Sequence, residues 1–257
     1  RANNIKVASA SINGVVLLPG EQFSFNKTVG RRTPKNGFKE AGVFKDGKHD
    51  RDFGGGICQV STTLFNTALF ADLKICERQN HSMPVPYVPV GRDATVDYGS
   101  IDLVLENSFD FPIALATNYE PGRLTFRVLG NKKLDYEVKI QSETHRSWSP
   151  KQQVVIDYSI PPGAERVREH GSSGRTASAY RSRFKNGTQI GKTETFESNY
   201  RGGLRIIARN PSKPAPRPAT KPTTAVATAN STPSTTDAPI PDSVPPLEPA
   251  KRSGDGD

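Results

Sequence analysis

Gly54-Gly55-Gly56-Ile57-Cys58-Gln59-Val60-Ser61-Thr62-Thr63 is a run of three glycines leading directly into a helical pattern. Val60, Leu64, Ala68 and Ala71 recur at helical spacing, and no Gly or Pro interrupts the chain from Ile57 to Arg78. The periodicity predicts a helix from about Gln59 to Asp72. The glycines let the backbone fold tightly and another chain approach closely, and they deliver Cys58 to the first helical turn. There, unpaired N–H groups and the helix dipole favour an anion. A thiol so placed tends towards thiolate, its nucleophilic form. The same N–H groups suit the oxyanion that forms when a thiolate attacks a carbonyl. The competing reading is a packed, inert thiol.

Acyl transfer also needs a base. His81, in Arg78-Gln79-Asn80-His81-Ser82, lies just after the helix, where the chain can return towards Cys58. Its rival is His49, in Lys48-His49-Asp50-Arg51-Asp52, whereas His145 and His170 fall in a separate β-rich region. Asp93 or Asp102 would orient the histidine, completing a Cys–His–acid arrangement. Other chemistries fit less well. The glycine run lacks the lysine of a phosphate-binding loop. His49, Asp50 and Asp52 have no further ligands at metal-site spacing, so neither metal nor cofactor is expected. Tyr180-Arg181-Ser182-Arg183-Phe184 interleaves aromatics with cations, but it reads as one alternating strand with a basic face, not as a nucleic-acid site.

Outward from this centre, Asn4–Ile12 reads as a short helix. Val15–Leu18 and Gln22–Phe25 read as strands around the turn Pro19-Gly20. Residues 26–56 are loop-rich, and Pro84, Pro86 and Pro89 rule out more helix after Arg78. Asp102–Glu106, Ile113–Asn118 and Leu124–Leu129 read as strands, the last alternating cleanly at Leu124, Phe126 and Val128. One main helix on a mostly antiparallel sheet makes residues 1–130 an α+β domain. Residues 131–210 read as a small all-β module, with alternation at Leu134, Tyr136, Val138 and Ile140 and again at Val154, Ile156 and Tyr158. Its later strands are Ser178–Phe184, Gly191–Phe196 and Leu204–Ile207, with Asn186-Gly187 as a hairpin turn. Residues 211–257 contain no Phe, Trp or Tyr and are dominated by Pro, Thr, Ala and Ser. That composition predicts a disordered tail.

The chain has 257 residues, with 35 Lys+Arg against 26 Asp+Glu for a formal charge of +9. Cations and anions balance in the tail, so the excess lies on the folded part. A basic surface suits a polyanionic partner without choosing among nucleic acid, acidic lipid and cell-wall polymer. No apolar run reaches the ~18 residues of a membrane span. Arg1 reads as a cut end, so membrane anchoring is expected only through a segment outside this fragment. The two cysteines are not expected to pair. A helix from Gln59 to Asp72 is roughly 20 Å long, the four residues to Cys76 reach back at most about 14 Å, and a disulfide needs Cα atoms within about 7 Å.

The first 130 residues resemble the VanW family. The resemblance rests on Asn4-Ile5, Ile12-Asn13-Gly14, Leu18-Pro19-Gly20-Glu21-Gln22-Phe23-Ser24-Phe25-Asn26, Gly30-Arg31-Arg32-Thr33 and Gly54 to Leu64. It continues through Glu77-Arg78, His81-Ser82, Tyr87, Pro89, Gly91-Arg92-Asp93-Ala94-Thr95-Val96, Tyr98-Gly99 and Asp102. Residues 132–210 bear a weaker resemblance to the glycine-patterned G-five domain that often follows VanW domains. The VanW resemblance implies a secreted, cell-wall-associated protein linked to vancomycin resistance, with peptidoglycan stem peptides or anionic wall polymers as partners. It implies an L,D-transpeptidase with Cys58 as nucleophile, and it favours His81 over His49. Gly55, Gly56, Gln59, Ser61, Arg78, Ser82 and Arg92 would then form the oxyanion and substrate-binding set. Within it, the backbone N–H groups of Cys58 and Gln59 would hold the oxyanion, and Arg78 or Arg92 a stem carboxylate. A wall-binding module without catalysis is the alternative.

Overall fold

The computed structural model describes residues 1–45 and 48–213, with the side chains of residues 43–50 left aside. The expected disordered tail lies outside the described residues from residue 214 onward, as does the side chain of His49. The described residues belong to one compact unit.

Its elements in chain order are α1 (Ala2–Ile12), β1 (Val15–Leu17), β2 (Gln22–Ser24), α2 (Phe25–Val29), a 3-10 turn (Pro34–Asn36), β3 (Ala41–Lys45) and β4 (Lys48–Asp52). Then come α3 (Ile57–Phe70), β5 (Lys74–Glu77), β6 (Val104–Glu106), β7 (Ile113–Glu120) and β8 (Arg123–Gly130). The last part is all strand: β9 (Glu137–Trp148), β10 (Gln152–Ile156), β11 (Glu165–Glu169), β12 (Gly174–Lys185), β13 (Thr188–Tyr200) and β14 (Arg205–Arg209). Helices confined to the first part and mostly antiparallel sheets agree with the α+β reading.

The helix after the glycines is shifted two residues earlier at both ends. Gly56 caps its start at φ 98°, a left-handed value that glycine adopts without strain. At the other end Asp72 turns left-handed, φ 59°. Its buried carboxylate there accepts hydrogen bonds from Tyr136 Oη at 2.6 Å and Arg183 Nε at 2.7 Å. In between, Ile57, Val60, Leu64, Phe65, Ala68 and Leu69 are buried, each large side chain worth roughly 1.5–3 kcal/mol relative to exposure. This stripe meets α1 and the sheet strand β8. The core reaches the second part of the chain, where Phe196 sets its ring edge-on to Phe65 at 5.9 Å.

Three sequence expectations change. The strands flanking Pro19-Gly20 enter different sheets: β1 pairs with β7 and β2 with β6. Fully buried Asn107 holds them apart. Its backbone pairs with Gly20 and Glu21, and its side-chain amide donates to the carbonyls of Leu17 and Phe111. The region read as loop holds α2, capped by Ser24 Oγ, and the β3–β4 hairpin. Its polar strand Lys48–Asp52 carries no apolar alternation, so it leaves no periodic signal. The edge strand β5 was missed because its four residues are too few to show a period. It carries Cys76, and both cysteines are free thiols.

In the second part β12 runs between β9 and β13 as an antiparallel three-stranded sheet. Asn186 and Gly187 both take positive φ at its hairpin turn, 50° and 80°, the geometry of a type I′ turn. A second sheet places β14 parallel to β10 and antiparallel to β11, and β11 had no counterpart in the sequence reading.

Candidate active site

The glycine loop is pinned from the first helix, some fifty residues earlier in the chain. Asn4, fully buried on α1, donates its amide to the carbonyls of Lys39, Phe53 and Gly55 at 2.7–3.1 Å. Its side-chain oxygen accepts the Lys39 N–H at 2.8 Å. Gly55 lies so close to Ala41 that a Cβ there would stand 2.5 Å from the alanine's own. A Cβ on Gly56 would stand 2.8 Å from Arg1 Cγ. These positions need glycine for close approach, which fixes where the first turn of α3 begins.

The polar edge of α3 then holds the second half of the site. Buried Ser61 donates to the Ala94 carbonyl at 2.7 Å, and Thr62 exchanges hydrogen bonds with the same residue's backbone. Asn66 donates to the Arg92 carbonyl at 2.7 Å and accepts Arg92 Nε at 2.8 Å. The segment 91–96 is thereby zipped along the helix, which brings Thr95 Oγ1 to 3.5 Å and the Val96 carbonyl to 3.7 Å from Cys58 Sγ.

Asp93 sits in this segment with no solvent exposure. Its Oδ2 accepts both the His81 backbone N–H and the His81 Nδ1–H, each at 2.7 Å. Its Oδ1 accepts Arg78 Nη2 at 3.2 Å and the Tyr200 hydroxyl. With Nδ1 engaged by Asp93, the other ring nitrogen of His81 serves the thiol. Burial alone would push the Cys58 thiol up, but the hydrogen bond and charge of His81, with Val96 and Thr95, bring it below its ordinary value. Burial likewise opposes the His81 imidazolium. Asp93 and Cys58 overturn that effect and raise its pKa from 6.5 to about 9. Asp93 itself is lowered, because the donors from His81, Tyr200 and Arg78 outweigh its burial. Thiol down and imidazole up mark a thiolate–imidazolium pair backed by a carboxylate.

Cys58, His81 and Asp93 thus come together, and Asp102 does not join them. Asp102 accepts Ser24 Oγ at 2.5 Å and the Asn26 N–H at 2.8 Å, bracing the start of α2. Arg78 is a buried brace. It donates to the carbonyls of Asp93 and Gly91 and to Glu197 O and Ser198 Oγ across the second part of the chain. Arg92 stacks over Phe70 at 5.1 Å while it holds Asn66. Both arginines expected to hold a carboxylate are therefore engaged within the fold. Ser61 is structural, and Ser82 is exposed, with its carbonyl accepting the Arg201 N–H. Of the two expected oxyanion donors, the Gln59 N–H already donates to Gly56 O at 3.2 Å. The Cys58 N–H has no backbone acceptor among the described residues.

Sequence reasoning missed Tyr200 and Arg32. Tyr200 ends β13 and also accepts the Gly91 N–H at 2.8 Å; no local pattern ties it to residue 93. Arg32 feels the charge of Cys58 and was visible only as part of a motif. Tyr87, quoted with that same set of motifs, sets its ring edge-on to His81 at 6.4 Å.

The family described as VanW like protein matches residues 1–129. The uncharacterized protein YoaR of Bacillus subtilis is 45% identical over 115 residues, covering 45% of this chain and 38% of YoaR. The vancomycin B-type resistance protein VanW of Enterococcus faecalis is 31% identical over 135 residues, covering 51% of this chain and 49% of that protein. The chain thus spans less than half the length of each of these relatives. Two solved G5 domains are also similar. HP0197-G5 is 20% identical, covering 30% of this chain and all of its own, with a TM-score of 0.19. The G5 domain of IgA1 protease is 19% identical, covering 32% of this chain and 98% of its own, with a TM-score of 0.22. Likeness at that level assigns no fold to residues 131–210. The glycine–cysteine turn and the 91–96 segment both lie inside the matched residues, and the chain belongs to the VanW family.

Proposed function

We propose that this chain is an extracellular, cell-wall-associated protein whose VanW domain performs cysteine-dependent acyl transfer on peptidoglycan stem peptides, as an L,D-transpeptidase. The observation that carries the reading is the line Cys58–His81–Asp93 at the start of α3, with the His81–Asp93 bond at 2.7 Å. A thiol lowered by its histidine has little purpose in an inert core. The vancomycin-resistance relative supports a role at the wall, and the +9 charge favours an anionic polymer over a neutral one.

In this reading the Cys58 thiolate attacks the carbonyl carbon of the third residue of a donor stem. The Cys58 N–H and the dipole of α3 stabilise the oxyanion. The C–N bond to the terminal D-alanine breaks as the His81 imidazolium protonates the departing amine, leaving a thioester on Cys58. An amine from a neighbouring stem then attacks the thioester. His81 takes its proton, the new amide forms, and the thiolate is released. These steps require no cofactor.

The test is intact-protein mass spectrometry after incubation with tetrapeptide-stem muropeptides. The expected result is a Cys58 adduct of the donor lacking D-alanine, absent in Cys58→Ala and impaired in His81→Ala. Sacculus binding that survives Cys58→Ala, with no adduct from several stem chemistries, would replace this reading with a non-catalytic wall-binding module.

A further inference from the structure

Arg32 lies beside the thiol and is only partly engaged. Its guanidinium is stacked over Phe25 at 5.6 Å and Tyr98 at 5.7 Å. Nη2 donates to Asn26 Oδ1 at 2.7 Å, whereas Nη1 is buried with no hydrogen-bond partner. A charged N–H taken from water and left without an acceptor is costly, so its place is explained by an acceptor that arrives from outside.

A cavity of about 210 Å³ opens at this point, lined by Arg31, Arg32, Ile57 and Val96, with Asp52 and Asp97 also on its wall. It adjoins the nucleophile: Ile57 precedes Cys58, and the Val96 carbonyl is the one 3.7 Å from its sulfur. Asp97 Oδ2 accepts Ser100 Oγ and Asp52 Oδ1 accepts the Phe53 N–H, each at 2.6 Å. Two cations against two carboxylates make the cavity mixed in charge. A polyanion would meet repulsion there. A single carboxylate finds the open Arg32 N–H, while the reacting nitrogen on the same carbon stays at the thiol and His81.

We propose that this cavity is a carboxylate subsite in which Arg32 Nη1 binds the carboxylate on the carbon that bears the reacting nitrogen. The inference rests on the acyl-transfer reading above and deepens it by naming the substrate class. The amine that leaves and the amine that attacks occupy the same position against the thioester. One subsite therefore serves both halves of the reaction. The donor is an amide whose amine half ends in a free carboxylate, as a terminal D-alanine does. The acceptor is an amine with a carboxylate on the same carbon, such as one end of a diamino acid.

The deciding experiment measures binding without turnover. A tetrapeptide stem with a free C-terminal carboxylate, and the same peptide as its C-terminal amide, are titrated separately into the Cys58→Ala protein by calorimetry. The acid is expected to bind about tenfold tighter or more, the range of a buried charge-assisted hydrogen bond. Arg32→Gln is expected to erase that preference, chiefly by weakening the acid. Should Arg32→Gln fail to fold, the contrast in the Arg32 protein decides alone. Equal affinities, binding of neither peptide, or a preference that persists in Arg32→Gln would overturn the subsite. A wild type that forms no adduct while the acid preference holds would instead remove the acyl-transfer reading and leave the subsite standing.

Discussion

Tyr200 and Asp93 lie 107 residues apart and are joined by a buried hydrogen bond from the phenol to Oδ1, while Oδ2 of the same carboxylate holds His81. The β-rich part of the chain thus reaches into the line of residues behind the nucleophile. Tyr200→Phe is expected to lower unfolding stability by about 1.5–3 kcal/mol, the usual contribution of a hydrogen bond to a charged group, as read by urea denaturation. It should also move the pH profile of Cys58 alkylation towards that of a free thiol. Lost stability with an unchanged profile would make Tyr200 scaffolding only.

Asp93→Asn removes the charge that keeps His81 protonated. Its pKa, raised from 6.5 to about 9 in the native protein, is expected to fall back towards its ordinary value, and the Cys58 thiol to rise as its cationic neighbour is lost. Iodoacetamide alkylation followed from pH 5 to 10 reports both changes. The wild type should react below the usual thiol range, and Asp93→Asn only at higher pH. Identical profiles would show that Asp93 does not tune the pair.

The pH dependence of stability carries a sign for each partner. His81 is raised, so its contribution is complete below 6.5 and is lost as pH rises through about 9. Cys58 is lowered from 9.0, so its contribution is present above 9.0 and is lost as pH falls through its native value. Between these limits the two oppose each other, so the wild-type slope is shallower than either contribution alone would give. Cys58→Ser removes the opposing contribution together with the part of the His81 shift that Cys58 supplies; the larger Asp93 hydrogen bond remains, so a decline with pH above 6.5 is expected in that variant over a narrower window. A slope equally shallow in both proteins would show that Asp93 by itself does not hold His81 raised.

Gly55→Ala places a methyl group where Ala41 already stands, with the two Cβ atoms 2.5 Å apart. Overpacking of this kind costs roughly 1–3 kcal/mol. It should also displace the first turn of α3, slowing alkylation of Cys58. Ala41→Gly in the same chain is expected to restore part of both losses, since only backbone contacts near 3.0 Å remain. No rescue would show that the backbone, not the methyl pair, sets the limit.

Asn4→Ala leaves three carbonyls and one N–H without the partner they have in the native fold. The bond to Gly55 is buried and the others partly so, and a buried group left unpaired costs about 1–3 kcal/mol, so a drop in melting temperature is expected. Asn4→Asp keeps the acceptor for the Lys39 N–H but loses every donor, and it should recover little. Full recovery in Asn4→Asp would mean that the single accepted bond dominates.

What the sequence by itself determined was local. Three glycines and a stripe at Val60, Leu64 and Ala68 placed Cys58 at a helix start, because helical periodicity and left-handed glycine are properties of neighbours along the chain. The Asn186-Gly187 turn was legible for the same reason. Only the tertiary structure decided which carboxylate serves His81. Asp93 and Asp102 both follow His81 with no helix between, 12 and 21 residues on, and spacing alone does not choose between them. Zipping residues 91–96 onto α3 buries Asp93 against the histidine, whereas pairing of β6 with β2 turns Asp102 towards α2. It likewise decided that Arg78 braces the fold and that Arg32 lines a cavity with Ile57 and Val96. An arginine's role depends on which acceptors remain around it after packing, and that is settled by contacts between residues distant in sequence, which leave no period or spacing to read.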